Sequence, residues 1–251
     1  MTSLVAEPVF FIGKFPVTNV LLDTALVDSL LITGMFVLKR KLSLIPGMFQ
    51  NMIEMTIGVF YDLTESVAQN RTAKIFPFFM SFFLFILLIN WSGLIPGVGS
   101  IGFFHHVDGK KELIPIVRSA TSDLNTTLAL ALISAFATHI LSLKTLGIKS
   151  YLGRYFSLNP VNMYVGILEI ISEITKIISL SFRLFGNVFA GEVVLLTVST
   201  IFAFLFPIPF LLLEIIVGFV QALVFSMLTM AFMAILTTPH HESEEVINNG
   251  I

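Results

Sequence analysis

The residue with the clearest chemical implication in this chain is Arg183, an arginine in the middle of an apolar stretch long enough to cross a bilayer. A guanidinium stays protonated at any accessible pH, so it cannot shed its charge there. Placing it at the membrane centre costs at least about 2.5–3.5 kcal/mol on insertion scales. Snorkelling to a headgroup explains it poorly, because roughly two helical turns of apolar sequence lie on one side and many more on the other. An arginine at that depth marks a functional path and calls for a carboxylate partner.

The neighbouring polar residues are patterned. At about 100° per residue, Glu169, Lys176 and Arg183 recur every seven positions and share one helical stripe, with Asn187 one turn further on. Ser172 and Glu173 flank that stripe, and Glu192, nine positions past Arg183, falls on the opposite side. In the next apolar stretch Glu214 and Gln221 are again seven apart, with Gly218 between them. A coiled coil repeats apolar residues at this interval, not charges. In lipid, polar groups must face protein or water. These two stretches should therefore present one face to a partner and other faces to aqueous clefts.

The elements that hold these residues are membrane elements. The chain has 251 residues, is 56% hydrophobic and 12% charged, and has a mean hydropathy of +0.94. That is a polytopic membrane protein of all-α class. A net charge of −2 offers nothing to nucleic acid. The absence of cysteine excludes disulfides and thiolate metal sites. No G-x-x-x-x-G-K-[ST] pattern is present, so no nucleotide is bound in that manner, and no cofactor or metal is expected. The N-terminus lacks the basic region of a cleaved signal peptide.

In chain order, residues 1–20 carry Pro8, Gly13 and Pro16 and read as an extended external segment. A first span over 21–38, containing Asp23 and Asp28, stops at Lys39, Arg40 and Lys41, a cytoplasmic signal. Asp28 fits an ion path and fits a helix contact or interface equally well. The stretch 46–70 mixes methionines and phenylalanines with Glu54, Asp62 and Glu65, and reads as a helix lying in the cytoplasmic interface. Spans follow at 75–95, with Trp91 at its outer end, and at 121–143. Ser122 or Asp123 caps the latter, and Asp123 and Asn125 stand at its outer mouth. Between them, 96–122 reads as a loop whose His105, His106 and Asp108 are ordinary loop residues rather than metal ligands. The segment 144–159 also reads as a loop. Lysine and arginine are in excess on the side assigned as cytoplasmic, with the N-terminus outside and the acidic 239–251 tail inside.

No proline interrupts the chain between Pro160 and Pro207. A helix over 160–205 would be about 69 Å long, against a hydrocarbon core of roughly 30 Å. Ordinary mismatch tilts of about 20° do not absorb that excess. The expectation is a steeply inclined hairpin of 160–205 and 209–238, turning at Phe206-Pro-Ile-Pro209. In all, about five membrane-embedded helices and one interfacial helix are expected.

The stretch Ser179-Leu-Ser-Phe-Arg-Leu-Phe-Gly-Asn-Val-Phe-Ala-Gly-Glu192 resembles, almost residue for residue, the signature of subunit a of the F-type ATP synthase membrane sector. Gln221-Ala-Leu-Val-Phe225 is similar to that family's second signature, and weaker similarity covers residues 13–19, Asp28 and 121–125. The resemblance implies a non-catalytic stator subunit that passes protons through two half-channels beside the ring of subunit c. It also implies subunit b of the peripheral stalk and the rest of the synthase as partners. Arg183 would be the family's arginine facing the ring. Asn187, Glu192, Glu214 and Gln221 would line the outer half-channel, and Glu169, Ser172 and Glu173, with Lys176, the inner half-channel or ring face. Positions 192 and 214 often pair a carboxylate with a histidine in this family; here both are glutamate, which keeps an acid pair able to relay protons. Gly186 and Glu192 resemble the bacterial form, which implies a bacterial inner membrane.

Two other readings compete. A self-contained secondary transporter could use Arg183 to bind an anion, but such proteins usually carry internal repeats and none is visible here. A non-transporting scaffold would leave Arg183, Lys176 and the paired acids without a purpose.

Overall fold

The computed structural model describes residues 8–95, 101–107, 110–116, 118–155, 160–201 and 207–238. Helices dominate it. Strands β1 (Pro8–Ile12) and β2 (Phe15–Thr18) pair antiparallel, and Gly13 between them takes the positive φ of 65° that this turn demands. Helix α1 (Asn19–Lys41) starts where the Thr18 hydroxyl accepts from the Leu21 N–H, and it ends on Lys39, Arg40 and Lys41. Helix α2 (Met48–Ala68) gives way to α3 (Thr72–Ser92) at a short 3-10 turn, where Gln69 adopts a φ of 46°. A non-glycine residue in that region breaks the helical path. Strands β3 (Gly102–Val107) and β4 (Lys110–Pro115) form a second hairpin.

Helix α4 (Leu124–Leu146) is capped by Asp123 and stopped by Gly147 at a φ of 80°. A short helix α5 (Ile148–Tyr155) follows. Helix α6 (Pro160–Ile201) runs 42 residues without interruption, and α7 (Pro207–Thr237) runs 31. At 1.5 Å per residue these are about 63 Å and about 46 Å long. Pro207 and Pro209 open α7, where a missing N–H goes unused. Residues 202–206, which include the first residue of the expected turn, and the tail 239–251 lie outside the described residues.

Among the described residues, four stretches are long and apolar enough to cross a membrane: Asn19–Lys41, Met48–Ser92, Leu124–Leu146 and Pro207–Thr237. The chain is thus an all-α membrane protein with two small hairpins. Within 1–20 the extended chain pairs as a hairpin over Pro8–Thr18, and the second hairpin lies within 96–122, which sequence reads as a loop. For the second, the Asp108-Gly109 dipeptide was the available signal, because it favours tight two-residue turns. The 144–159 segment likewise contains α5, too short for apolar periodicity to reveal.

The antiparallel pair α3 and α7 forms the centre. Phe82, Phe83 and Ile86 of α3 pack with Ala222 and Phe225 of α7, Leu130 and Ala131 of α4, and Leu180 and Leu184 of α6. Lipid is as apolar as leucine, so packing and polar contacts between helices must supply specificity. They are present. Ser134 and Thr229 hydroxyls meet at 2.8 Å, Thr127 and Ser181 at 3.1 Å, and the Ser142 hydroxyl donates to the Leu236 carbonyl at 2.7 Å.

One such contact is central. The buried Asn90 amide donates to the Gly218 carbonyl at 3.1 Å and accepts from the Thr121 hydroxyl at 2.8 Å, tying α3 to α7 and to the turn before α4. Asn90→Leu is expected to destabilise the subunit by about 1–3 kcal/mol, since it strips a partner from a buried hydroxyl. Thermal unfolding of the detergent-solubilised protein would measure this, with the exposed Ile133→Leu as the control that should not shift.

Candidate functional site

Helices α6 and α7 pack antiparallel, and from the seven-residue patterns read on each, Glu214 and Gln221 of α7 and Lys176 of α6 lie at their contact. The Lys176 ammonium lies 4.8 Å from the centre of the Phe232 ring. One level up, the Asn187 amide donates to the Gln221 carbonyl oxygen at 2.6 Å. Above that, the Glu214 carboxylate rests directly against Gly191. A side chain at position 191 would occupy the space of that carboxylate, so the glycine is what allows α7 to present an acid there.

A cleft of about 230 Å³ opens at this end, with Asn90, Arg118, Ser119, Glu192, Ser199 and Glu214 among its lining residues. Arg118 pairs with Glu192 through one hydrogen bond, Nη2 donating to Oε2 at 3.2 Å, and Nε lies 3.2 Å from Oε1 as a charge contact outside hydrogen-bond geometry. The arginine side chain is only 9% exposed and the glutamate 27%. Glu214 is buried and has no ion-pair or hydrogen-bond partner among the described residues. The wall behind the cleft is tied together by hydrogen bonds. Besides the Asn90 contacts, the Asp23 carboxylate accepts from the Ser92 hydroxyl and the Ala120 N–H, each at 3.0 Å, joining α1, α3 and the turn before α4.

Toward the other end of α6 lies a second cleft of about 410 Å³, lined by Ser172, Thr175, Lys176, Ser179, Arg183, Leu228 and Phe232 among others. Arg183 is exposed and forms no ion pair among the described residues. Its neighbours along that face, Thr175, Ser179, Phe182, Gly186 and Ala190, are also exposed, and most are small. Nothing in the two clefts' linings is shared.

The residues singled out from sequence therefore separate into groups. Glu192 and Glu214 meet in one cleft; Ser172, Lys176 and Arg183 meet in the other; Asn187 and Gln221 bond to each other between them. Glu173 turns from the Arg183 cleft toward α4 and α5. Its Oε1 accepts from Lys176 at 2.8 Å and its Oε2 lies 3.9 Å from His139 Nε2, while His139 Nδ1 is 2.9 Å from the Tyr151 hydroxyl. Glu169 is half-buried beside the same group. In α5, burial, then Tyr151, then the charges of Glu173 and Glu169 push the Tyr155 phenol up from its ordinary value. Asp123 and Asn125 line neither cleft; Asp123 Oδ1 accepts from the Asn125 N–H at 3.1 Å and from its side-chain amide at 3.3 Å. Of the two α1 acids, Asp28 is exposed and Asp23 is the buried one.

Sequence reasoning missed Arg118, Gly191, Asn90 and His139. By sequence alone Arg118 reads as an ordinary external loop charge. The available signal was Glu192: an acid inside an apolar segment requires a cation, and Arg118 stands a few residues before a helix cap.

Comparison with known proteins gives the family. A family model described as ATP synthase A chain matches residues 22–234. ATP synthase subunit a of Moorella thermoacetica is 32% identical over 234 residues, covering 93% of this chain and 97% of that protein. ATP synthase subunit a 2 of Pelobacter propionicus is 32% identical over 228 residues, covering 91% and 90%. ATP synthase subunit a 1 of Hahella chejuensis is 33% identical over 238 residues, covering 93% and 91%. With a match of that extent running through both clefts, the chain belongs to the ATP synthase A chain family.

Proposed function

We propose that this chain is the proton-conducting stator of the synthase membrane sector, and that it couples proton flow to rotation of a ring of subunit c. The observation that carries the reading is Arg183, a permanent charge exposed on α6 with no carboxylate beside it among the described residues. A charge at that depth demands a partner, so the carboxylate must come from another chain. The small exposed residues around it suit close approach of a neighbouring helix.

On this reading a ring carboxylate facing lipid keeps its proton, because desolvation penalises the charge. Beside Arg183 the ionised form is favoured instead, and the proton leaves through the cleft of Ser172 and Lys176, with Glu169 and Glu173 toward the same side. Reloading occurs from the cleft of Glu192 and Glu214, with Asn187 and Gln221 at its inner end and Asp123 and Asn125 near its mouth. Arg183 keeps its charge throughout and so repels any proton crossing directly between the clefts. The membrane potential contributes about 2.3 kcal/mol per charge for each 100 mV. Bond making on ATP belongs to other subunits; subunit b and the remaining synthase hold this chain still. The basic ends of α1 and α3 support a cytoplasmic C-terminus, in a bacterial inner membrane, with α2 along the inner interface and α6–α7 steeply inclined.

Cross-linking tests the ring contact, and the chain's lack of cysteine gives a clean background. Ala190→Cys, on the exposed face, should form a disulfide with a cysteine placed mid-helix in subunit c. Leu184→Cys, fully buried in this chain's own core, should not. A cross-link pattern indifferent to the face of α6 would instead support a self-contained transporter.

A further inference from the structure

The two acids of the outer cleft are not equivalent. Glu192 is held by Arg118 in an ion pair that carries one hydrogen bond, whereas Glu214, across the same cleft, forms no ion pair among the described residues. Arg118, Glu192 and Glu214 are the charged groups lining this cleft among the described residues. A guanidinium never releases its proton in a protein, and a buried ion pair resists losing either partner, because the remaining charge would be left uncompensated.

We propose that Arg118 is a positioning residue that fixes Glu192 as a standing anion, leaving Glu214 as the group that carries the exchangeable proton in the outer cleft. The proposal rests on the reading of this cleft as the outer half-channel. A hydronium ion from the outer side gives its proton to the Glu214 carboxylate and leaves as water, and the neutral acid passes that proton to the ring carboxylate and returns to its ionised form. The Arg118–Glu192 pair holds one positive and one negative charge throughout. Gly191 serves the same division, because it is the absence of a side chain there that seats Glu214 in the cleft.

The test uses the whole synthase in proteoliposomes, with pumping normalised to assembled complex. Glu214→Gln and Arg118→Gln should each lower ATP-driven pumping about a hundredfold, the first by removing the carrier and the second by leaving Glu192 unpaired. Arg118→Lys should recover part of the loss. In R118Q/E192Q the uncompensated charge at position 192 is gone, and pumping should rise at least about tenfold above Arg118→Gln alone. The pH profile supplies a readout that packing alone would not move. Proton-driven ATP synthesis should follow a single proton-binding step on the outer side in wild type, and two coupled steps in Arg118→Gln. A double variant no better than Arg118→Gln, or two steps in wild type, would overturn the assignment. Arg183→Ala run in parallel separates the causes. If it still pumps, the stator reading itself fails; if it is inactive while the double variant shows no recovery, only the division between Glu192 and Glu214 fails.

Discussion

Replacing Arg183 with alanine is expected to leave an assembled synthase that no longer drives proton uptake into inverted vesicles when ATP is added. The reasoning is electrostatic. Arg183 lies on the exposed face of α6 and at the edge of the cleft of Ser172 and Lys176. Without its charge, a ring carboxylate arriving there has no reason to ionise, and each pKa unit lost is about 1.36 kcal/mol of driving force. The fold should tolerate the change, because Arg183 has no intrachain ion-pair partner among the described residues to be stranded. ATP hydrolysis by the detached catalytic head should be unchanged. Vesicles stripped of that head should leak protons passively, since the barrier between the clefts has gone.

The second large effect is expected from Gly191→Val. A side chain at 191 falls on the Glu214 carboxylate, whose far end is flexible and can swing aside. Stability should therefore change little, while pumping falls about ten- to a hundredfold as the acid leaves its position. Gly58→Ala is the informative control. Its site in α2 has open space around it, so that change should affect neither assembly nor pumping. Comparing the two by pumping per assembled complex distinguishes displacement of Glu214 from a general sensitivity to glycine replacement.

How far these features were legible in sequence follows from the physics of each. Arg183, Glu192, Glu214 and Gln221 stand out because charge and amide groups are costly in an apolar run, and spacing alone assigned them to faces. The α6–α7 contact confirms that the shared face of Glu214 and Gln221 points at α6. Arg118 was hidden because a loop arginine is ordinarily solvated; only the folded chain brings it 74 positions along to Glu192. The His139–Glu173 contact was hidden for the same reason, joining α4 to α6 across a turn that composition reads as a loop. The β-hairpins escaped because strands of four to six residues give too short a period to rise above a loop. Glu169, which shares the stripe of Lys176 and Arg183 by angle, does not line their cleft, because α5 packs along that part of α6.

The central claim is that two aqueous clefts open to opposite sides of the membrane and stop at Arg183. It is tested most directly by thiol accessibility in this naturally cysteine-free chain. Ser199→Cys lines the cleft of Glu192 and Glu214, and Ser172→Cys lines that of Lys176 and Arg183. A membrane-impermeant thiol reagent should label the first only in right-side-out vesicles and the second only in inverted ones. Labelling of both from one side, or of either from both sides, would contradict the account.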